Sequence, residues 1–486
     1  MTNSENREKE PPRPVPPFLR KPALFGVILA TVAFAMRFAA GRAFGGESVW
    51  DGHYYEYYAG RIAEGFGYSD KLVVGGVDIG HASCHYPVGY SAFLAVFYKV
   101  FGHNLLVARL FDTSVGTALA LVTWRFSRYA LSETRAAIAG ILVALHPGLV
   151  LYGALTMSEP LSSLLTLVSF WVRVRTKHET RAMIGSALVL GVAALVRPPV
   201  LLCAPFLVAL PKAVRTSAAS RWSKAPRVLA SLALVLGFTL LPILPWSARN
   251  CARMDGCALV STNGGWNLAI GAFPRATGRF ETLKSADGCR DVTGQVQQDR
   301  CWFQYGVHYI KTEPGRWLSL LPKKWSYTFD HESFQVEYLH QARPERWPEE
   351  RRTFGRKVLT ACHSALVVAA AFAAARLPRL KRKPAASDVY SGVVLVVLAL
   401  ATYFTMQGNP PVLWPLLLLT LALLALPLPF RSRESLAMTL GLVFAASIVV
   451  THGIFFGEDR YHVVLTPVLC ILAAGALRQN DARAAA

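Results

Sequence analysis

The chain has 486 residues, of which 53% are hydrophobic and 17% charged, with a formal net charge of +21. Long apolar runs recur from end to end, which excludes an ordinary water-soluble globule and points to helices that cross a membrane. The positive charge is not a nucleic-acid footprint: lysines and arginines sit largely in short loops between apolar runs, and no basic region carries a binding motif, so no nucleic-acid partner is expected.

Taken in order, residues 1–22 are polar and Pro-rich and read as a disordered cytoplasmic terminus. The run "ALFGVILATVAFAMRFAA" (23–40) exceeds the apolar length of a signal peptide and reads as a retained anchor. Further spans are predicted at 105–126, 136–155, 159–174, 183–196, 199–211, 228–247, 357–377, 388–406, 411–429, 434–452 and 461–478. Basic clusters lie between them, such as Arg125, Arg128 and Arg135, or Arg173, Arg175, Lys177 and Arg181. Placing every cluster in the cytoplasm gives about twelve spans with both termini inside. It also makes "VGYSAFLAVFYKVFG" (88–102) a helix lying along the membrane. The predicted class is an all-α polytopic membrane protein with juxtamembrane helices in the first external loop. It divides into a catalytic module at 23–247 with an external loop at 41–104, an external domain of mixed structure at 248–356, C-terminal spans at 357–478 and a cytoplasmic tail at 479–486.

This topology gathers the polar residues at span ends on one face, and ionisable groups at a membrane edge mark a candidate site. In "ESVWDGHYYEYYAGRIAEGFGYSD" (47–70), Asp51 is the first acid on the outer face. It is a candidate general base, since aromatic neighbours desolvate a carboxylate and raise its basicity. The bland reading is a helix cap. Tyr54, Tyr55, Tyr57 and Tyr58 read first as interfacial anchors, with Tyr54 and Tyr55 candidates to stack on a sugar. In "HASCHYPVGY" (81–90), His85 and Tyr86 are pocket candidates, as are Glu159 in "TMSEP" and Tyr461 in "GEDRYH". Arg197, Arg249 and Arg460 are candidates to hold a phosphate, because a guanidinium offers paired donors to its oxygens. The alternative for each arginine is a snorkelling residue at a span end.

Of the eight cysteines, Cys251, Cys257, Cys289 and Cys301 fall in the outer segment, where two disulfides with three possible pairings are expected. His81, Cys84 and His85 lie close in sequence, but no fourth ligand is evident, so no metal ligand is assigned and a divalent metal stays open.

These pieces resemble, in order, the membrane glycosyltransferases of the GT-C type, in the group of protein O-mannosyltransferases and lipid A aminoarabinose transferases. The Asp51 loop and "YPVGYSAFLAVFYKVFG" are similar to that family's first external loop. "LVALHPGLVLYGALTMSEPL" is similar to its Pro-then-acid hairpin and "AALVRPPVLLCAP" to its Arg/Lys-Pro tip. "PWSARNCARMDGCALVSTNGGWNLAIGAFPRATGRF" and "GEDRYHVVLTPVLCILAAG" resemble its segment after the seventh span and its final span. The resemblance implies a bacterial inner-membrane enzyme that takes a sugar from a polyprenyl-phosphate donor to an acceptor hydroxyl or phosphate on an envelope lipid, glycan or protein at the external face. Asp51 would be the base and the anomeric centre would invert. The protein mannosyltransferases carry an Asp-Glu pair where this chain has Asp51-Gly52, which weighs against a protein acceptor. Two rival readings are a transporter or flippase and a non-catalytic assembly protein of envelope polysaccharide. Transporters favour repeated halves and ionisable groups near mid-membrane, which the sequence does not display.

Overall fold

The computed structural model describes residues 17–208, 225–375, 412–425 and 433–476, with single positions between 389 and 403. Residues 1–16 of the predicted disordered terminus, the tail at 479–486 and most of the predicted span 388–406 fall outside these residues, while Pro17–Arg20, expected to be disordered, forms a 3-10 turn with Leu19 buried.

The first long helix, α1 (Pro22–Phe44), starts with proline at its first position, where the missing N–H costs nothing, and ends before the Gly45-Gly46 pair. After it come α2 (Asp51–Ala63) and two small antiparallel hairpin pairs. Strand β1 (Ser69–Asp70) pairs with β4 (His81–Ala82), and β2 (Val73–Val74) with β3 (Val77–Asp78). The predicted surface helix is α3 (Gly89–Phe101), whose Val96, Val100 and Phe101 remain exposed while Tyr90, Leu94 and Tyr98 are buried.

Then follow α4 (Leu105–Ser127), α5 (Glu133–Leu145), α6 (Pro147–Leu151), α7 (Glu159–Arg175) and α8 (Glu179–Val196). The single span predicted at 136–155 is broken by 50° between α5 and the segment that starts at Pro147, because proline cannot donate to the preceding turn. The break frees carbonyls, and Arg37 of α1 takes them: its guanidinium donates to Val143 O at 2.8 Å and Ala144 O at 2.9 Å. Gly116 of α4 makes the room, since a Cβ there would sit 2.3 Å from Arg37 Nε.

In the span predicted at 199–211, whose last three residues lie outside the described ones, the described part is not an α-helix. Residues Pro198–Leu207 form a 3-10 helix, in which Pro198, Pro199 and Pro205 deny the donors an α-helix needs. At about 2 Å per residue it is too short to cross a hydrocarbon layer of about 30 Å. The span predicted at 228–247 bends by 53° between α9 (Ala225–Leu240) and α10 (Leu244–Arg253), so α10 enters the polar segment.

That segment continues with α11 (Gly264–Ile270), α12 (Gln295–Thr312), α13 (Pro314–Ser319), α14 (Leu321–Phe329) and α15 (Phe334–Ala342). Its mixed structure resolves into helices and irregular loop, with no strand among the described residues. Disulfides Cys251–Cys257 and Cys289–Cys301 select one of the three pairings. Its small core of Ile270, Phe273, Cys289 and Trp302 also takes in Phe456 and Tyr461, which seats the segment on the turn before the last helix.

The chain ends with α16 (Glu349–Ala375), α17 (Trp414–Ala425), α18 (Arg433–Ile454), a 3-10 turn at Asp459–Leu465 and α19 (Thr466–Ala474). Five described helices are long and apolar enough to cross a membrane, or seven if each bent pair counts as one span. The protein is therefore an all-α multi-pass membrane protein, although the described helices do not reach the twelve spans predicted. Of the remaining predicted spans, 388–406 and the end of 411–429 lie largely outside the described residues, α7 has 17 residues, 199–207 is a 3-10 helix, and the last predicted span opens as a 3-10 turn. One large apolar core joins α1, α4–α8 and α16–α19. A second, with Tyr55, Tyr90, Leu94 and Phe111, seats α2 and α3 on α4.

Candidate active site

Asp51 is the first residue of α2, so its charge lies at the positive end of the helix. The residue before it, Trp50, is the sole non-glycine with positive φ among the described residues, at 50°. Such a backbone costs about 1–3 kcal/mol and persists where the surroundings impose it, commonly at functional sites. The Asp51 carboxylate is not used as a helix cap. Its Oδ1 accepts from the Tyr86 hydroxyl at 3.1 Å, and its Oδ2 from Arg460 Nη1 at 2.6 Å. The Asp51 side chain keeps 22% of its surface exposed and that of Arg460 keeps 12%, so the pair is open to solvent. Beside it, across Tyr338, runs a narrow cleft lined by Glu47, Ser48, Gly52, Thr156 and Tyr338.

Arg460 arrives from the far end of the chain, and the 3-10 turn explains how. Three residues per turn place Asp459 and His462 on one side and Arg460 on another. Asp459 Oδ2 accepts from Phe334 N at 2.8 Å and also from Ser333 N, which caps α15. His462 points inward to Thr328 O. Arg460 is thereby turned toward Asp51, where it also lies 3.0 Å from Glu458 Oε2, 3.2 Å from the Tyr461 hydroxyl and 3.4 Å from the Tyr338 hydroxyl. Burial raises the pKa of Glu458, and the neighbouring guanidinium opposes that rise.

A second ion pair sits beside the first. Arg197, just after α8, donates to Glu159 Oε1 at 2.8 Å and to Ser158 Oγ at 3.1 Å. Glu159 is fully buried, and its Oε2 has no hydrogen-bond partner. Both cations lie against the Tyr461 ring, the Arg197 guanidinium 5.6 Å and that of Arg460 5.0 Å from its centre. The Tyr55 hydroxyl closes the circle on Ser158 at 3.2 Å.

Among the tyrosines read as anchors, Tyr55 and Tyr58 are buried and hold the loop together. Tyr58 bonds Asp70 at 2.9 Å and stacks on Tyr68, while Tyr54 stays exposed and stacks on Tyr86. Burial and the nearby Asp51 charge both raise the Tyr86 pKa, which keeps that phenol a donor to Asp51. His85 packs edge-on against Tyr86 and Trp266, and burial lowers its pKa.

The structure thus brings Asp51, Tyr86, Tyr55, Glu159, Arg197, Arg460 and Tyr461 together, with Tyr54 and His85 at the margin. Arg249 stands apart: its guanidinium binds the carbonyls of Tyr68 at 2.6 Å and Ser83 at 2.8 Å, so it braces the first loop. His81 is exposed on β4, while Cys84 is buried against Ala258 and Val296 and its backbone N–H donates to Gln295 Oε1 at 2.9 Å. The sequence reading missed Tyr338 and Ser158. Both are uncharged, and nothing in their local pattern separates them from ordinary helix residues.

Residues 85–246 match the model of the family described as dolichyl-phosphate-mannose-protein mannosyltransferase. No curated protein matches the chain by sequence. Among solved structures, the Archaeoglobus fulgidus oligosaccharyltransferase in the apo form is similar at 13% identity and a TM-score of 0.44, over 93% of this chain and 49% of that one. This chain therefore spans about half the length of that structure. ArnT from Cupriavidus metallidurans bound to undecaprenyl phosphate is similar at 15% identity and a TM-score of 0.36, over 86% of this chain and 77% of that one.

Proposed function

Taking a membrane glycosyltransferase of the GT-C type as the premise, we propose that this protein moves a sugar from a polyprenyl-phosphate donor to a hydroxyl acceptor at the external face of a bacterial inner membrane. The observation that carries the reading is the arrangement around Tyr461: a half-open carboxylate, Asp51, beside two guanidiniums, Arg460 and Arg197. Asp51 is the base. The acceptor oxygen forms a bond to the anomeric carbon as its proton passes to Asp51, and the bond from that carbon to the phosphate oxygen breaks. The polyprenyl phosphate leaves with the electron pair, and one displacement inverts the centre.

Arg460 and Arg197 neutralise the charge that grows on the leaving phosphate. Without donor, each is held by a carboxylate, which keeps the cations in place and the Asp51 charge balanced. Tyr86 orients Asp51, leaving a lone pair of the carboxylate for the acceptor proton. The exposed Tyr54 ring, stacked on Tyr86, offers a face to the sugar. The acceptor is an envelope lipid, glycan or protein; the segment 248–356 packs against Tyr461 and His85 at the edge of the site.

The test is transfer of labelled sugar from synthetic polyprenyl-phosphate sugars by purified protein in detergent or liposomes, with donor binding measured in parallel. Asp51→Asn should bind donor and fail to transfer. Full transfer by Asp51→Asn would remove Asp51 from its role, and no transfer by the wild type from any donor would remove the reading itself.

A further inference from the structure

Behind the Asp51 site lies a second cluster that the transfer reaction does not use. Glu332, His363 and His462 come from three separate segments: the link between α14 and α15, the middle of α16, and the 3-10 turn that carries Arg460. All three are fully buried, and one ligand atom from each lies within 4.8 Å of the others.

The hydrogen bonds decide what these atoms can do. His363 Nε2 sits 2.8 Å from Phe329 O, so that nitrogen carries the proton and Nδ1 keeps a lone pair. His462 Nδ1 sits 2.6 Å from Thr328 O, so Nε2 keeps a lone pair. Glu332 Oε1 accepts from Gln335 Nε2 at 2.6 Å, which leaves Oε2. His363 Nδ1, His462 Nε2 and Glu332 Oε2 are the atoms of the cluster without a hydrogen-bond partner; the cluster's ligand atoms lie within 4.8 Å of one another, and the two imidazole rings stack with centroids 3.9 Å apart. Three acceptors meeting in a dry interior repel unless a cation lies among them. A single proton shared by Glu332 and His462, whose atoms are 3.5 Å apart, satisfies one contact and leaves His363 Nδ1 bare. A divalent metal satisfies all three.

The surroundings fit that occupant. An imidazole whose far nitrogen donates to a backbone carbonyl is the usual posture of a metal-ligating histidine, because the bond fixes tautomer and ring direction. Both histidines have it. Tetrahedral zinc places its ligand atoms ~3.3 Å apart; the His462–Glu332 pair at 3.5 Å already approaches that spacing, and the third ligand atom, on His363, lies within 4.8 Å of both. Gly148 of α6 leaves the carboxylate its space, since a Cβ there would come within 1.8 Å of Glu332 Oε1. The donor set of two imidazoles and one carboxylate suits zinc or a similar borderline divalent ion over magnesium or calcium.

We propose that Glu332, His363 and His462 bind one zinc-class divalent ion as a structural tie. The ion joins α16 and the α14–α15 link to the turn of Asp459–Leu465, and so holds the segment that presents Arg460 to Asp51. It takes no part in the chemistry and is independent of the donor.

The test uses the full chain purified in detergent without a metal-affinity tag. Elemental analysis should find about one zinc per chain, and cobalt exchanged into the stripped protein should give the visible absorption of a nitrogen- and oxygen-ligated ion. His363→Gln and Glu332→Gln should weaken metal binding by at least roughly tenfold, while His85→Gln should leave it unchanged. Zinc should raise the unfolding temperature of the wild type and not of the two variants. Wild type that binds neither ion, or variants that keep a full equivalent, would overturn the proposal. Should the variants fail to fold, the wild-type stoichiometry and cobalt spectrum decide by themselves.

Discussion

Arg37 and Arg460 are both buried guanidiniums, and they sit in opposite chemical company. Arg37 donates to the main-chain carbonyls of Ala33, Val143 and Ala144 and to no acid. Arg460 meets the carboxylates of Asp51 and Glu458 and the hydroxyls of Tyr338 and Tyr461, at the edge of a cleft. Carbonyls at a helix break are fixed, and the arginine that satisfies them is a building part. Carboxylates and hydroxyls at a cleft can exchange partners when a ligand arrives. Burial of a charge therefore does not separate structure from function in this molecule; the kind of acceptor does. Arg249 falls with Arg37, since its contacts are largely loop carbonyls. Arg197 falls with Arg460, through Glu159 and Ser158.

The contrast sharpens most at the carboxylate. If Asp51 is the base proposed, Asp51→Asn should lower transfer by roughly 10²–10⁴-fold with donor binding kept, as read from single-turnover transfer and a separate binding assay. Arg460→Lys keeps the charge and loses the planar fork, and should lower transfer by about tenfold or more. Arg197→Gln should chiefly weaken donor binding, by about tenfold. A donor analogue that ends in phosphate alone should report the same loss.

On the other side of the comparison, Arg37→Met should leave catalysis per folded molecule intact while reducing stability. Each carbonyl left bare costs about 1–3 kcal/mol, measured by thermal unfolding in detergent. A large fall in specific activity in this variant would break the division drawn here. The smallest effect is expected for Arg249→Lys. Its loop is also held by the Arg61–Asp78 pair and by Tyr58, so transfer should change by less than about threefold, within the range of modest hydrogen-bond losses.

Much of the architecture was legible in the sequence. Apolar runs mark helices because a membrane core leaves backbone groups no other partner, and α1, α4, α8, α16 and α18 lie where such runs were read. Hydropathy failed where proline intervened. It reads Pro198–Leu207 as an apolar stretch, yet three prolines turn it into a 3-10 helix, and Pro147 breaks α5 from α6.

The sequence by itself determined that this is a multi-pass helical membrane protein with Asp51, Glu159, Arg197 and Arg460 at the ends of apolar segments, since composition and charge placement are local properties. Only the tertiary structure decided which of these meet. Asp51 and Arg460 are 409 residues apart in the chain and 2.6 Å apart in space. That pairing depends on a 3-10 turn whose Asp459 is spent on capping α15 and whose His462 is turned inward, so that Arg460 faces the other way. Nor does any spacing in the chain announce Glu332, His363 and His462, which lie in three segments brought together by packing alone. Local pattern sets what each residue is able to do, and long-range packing sets which residue it does it with.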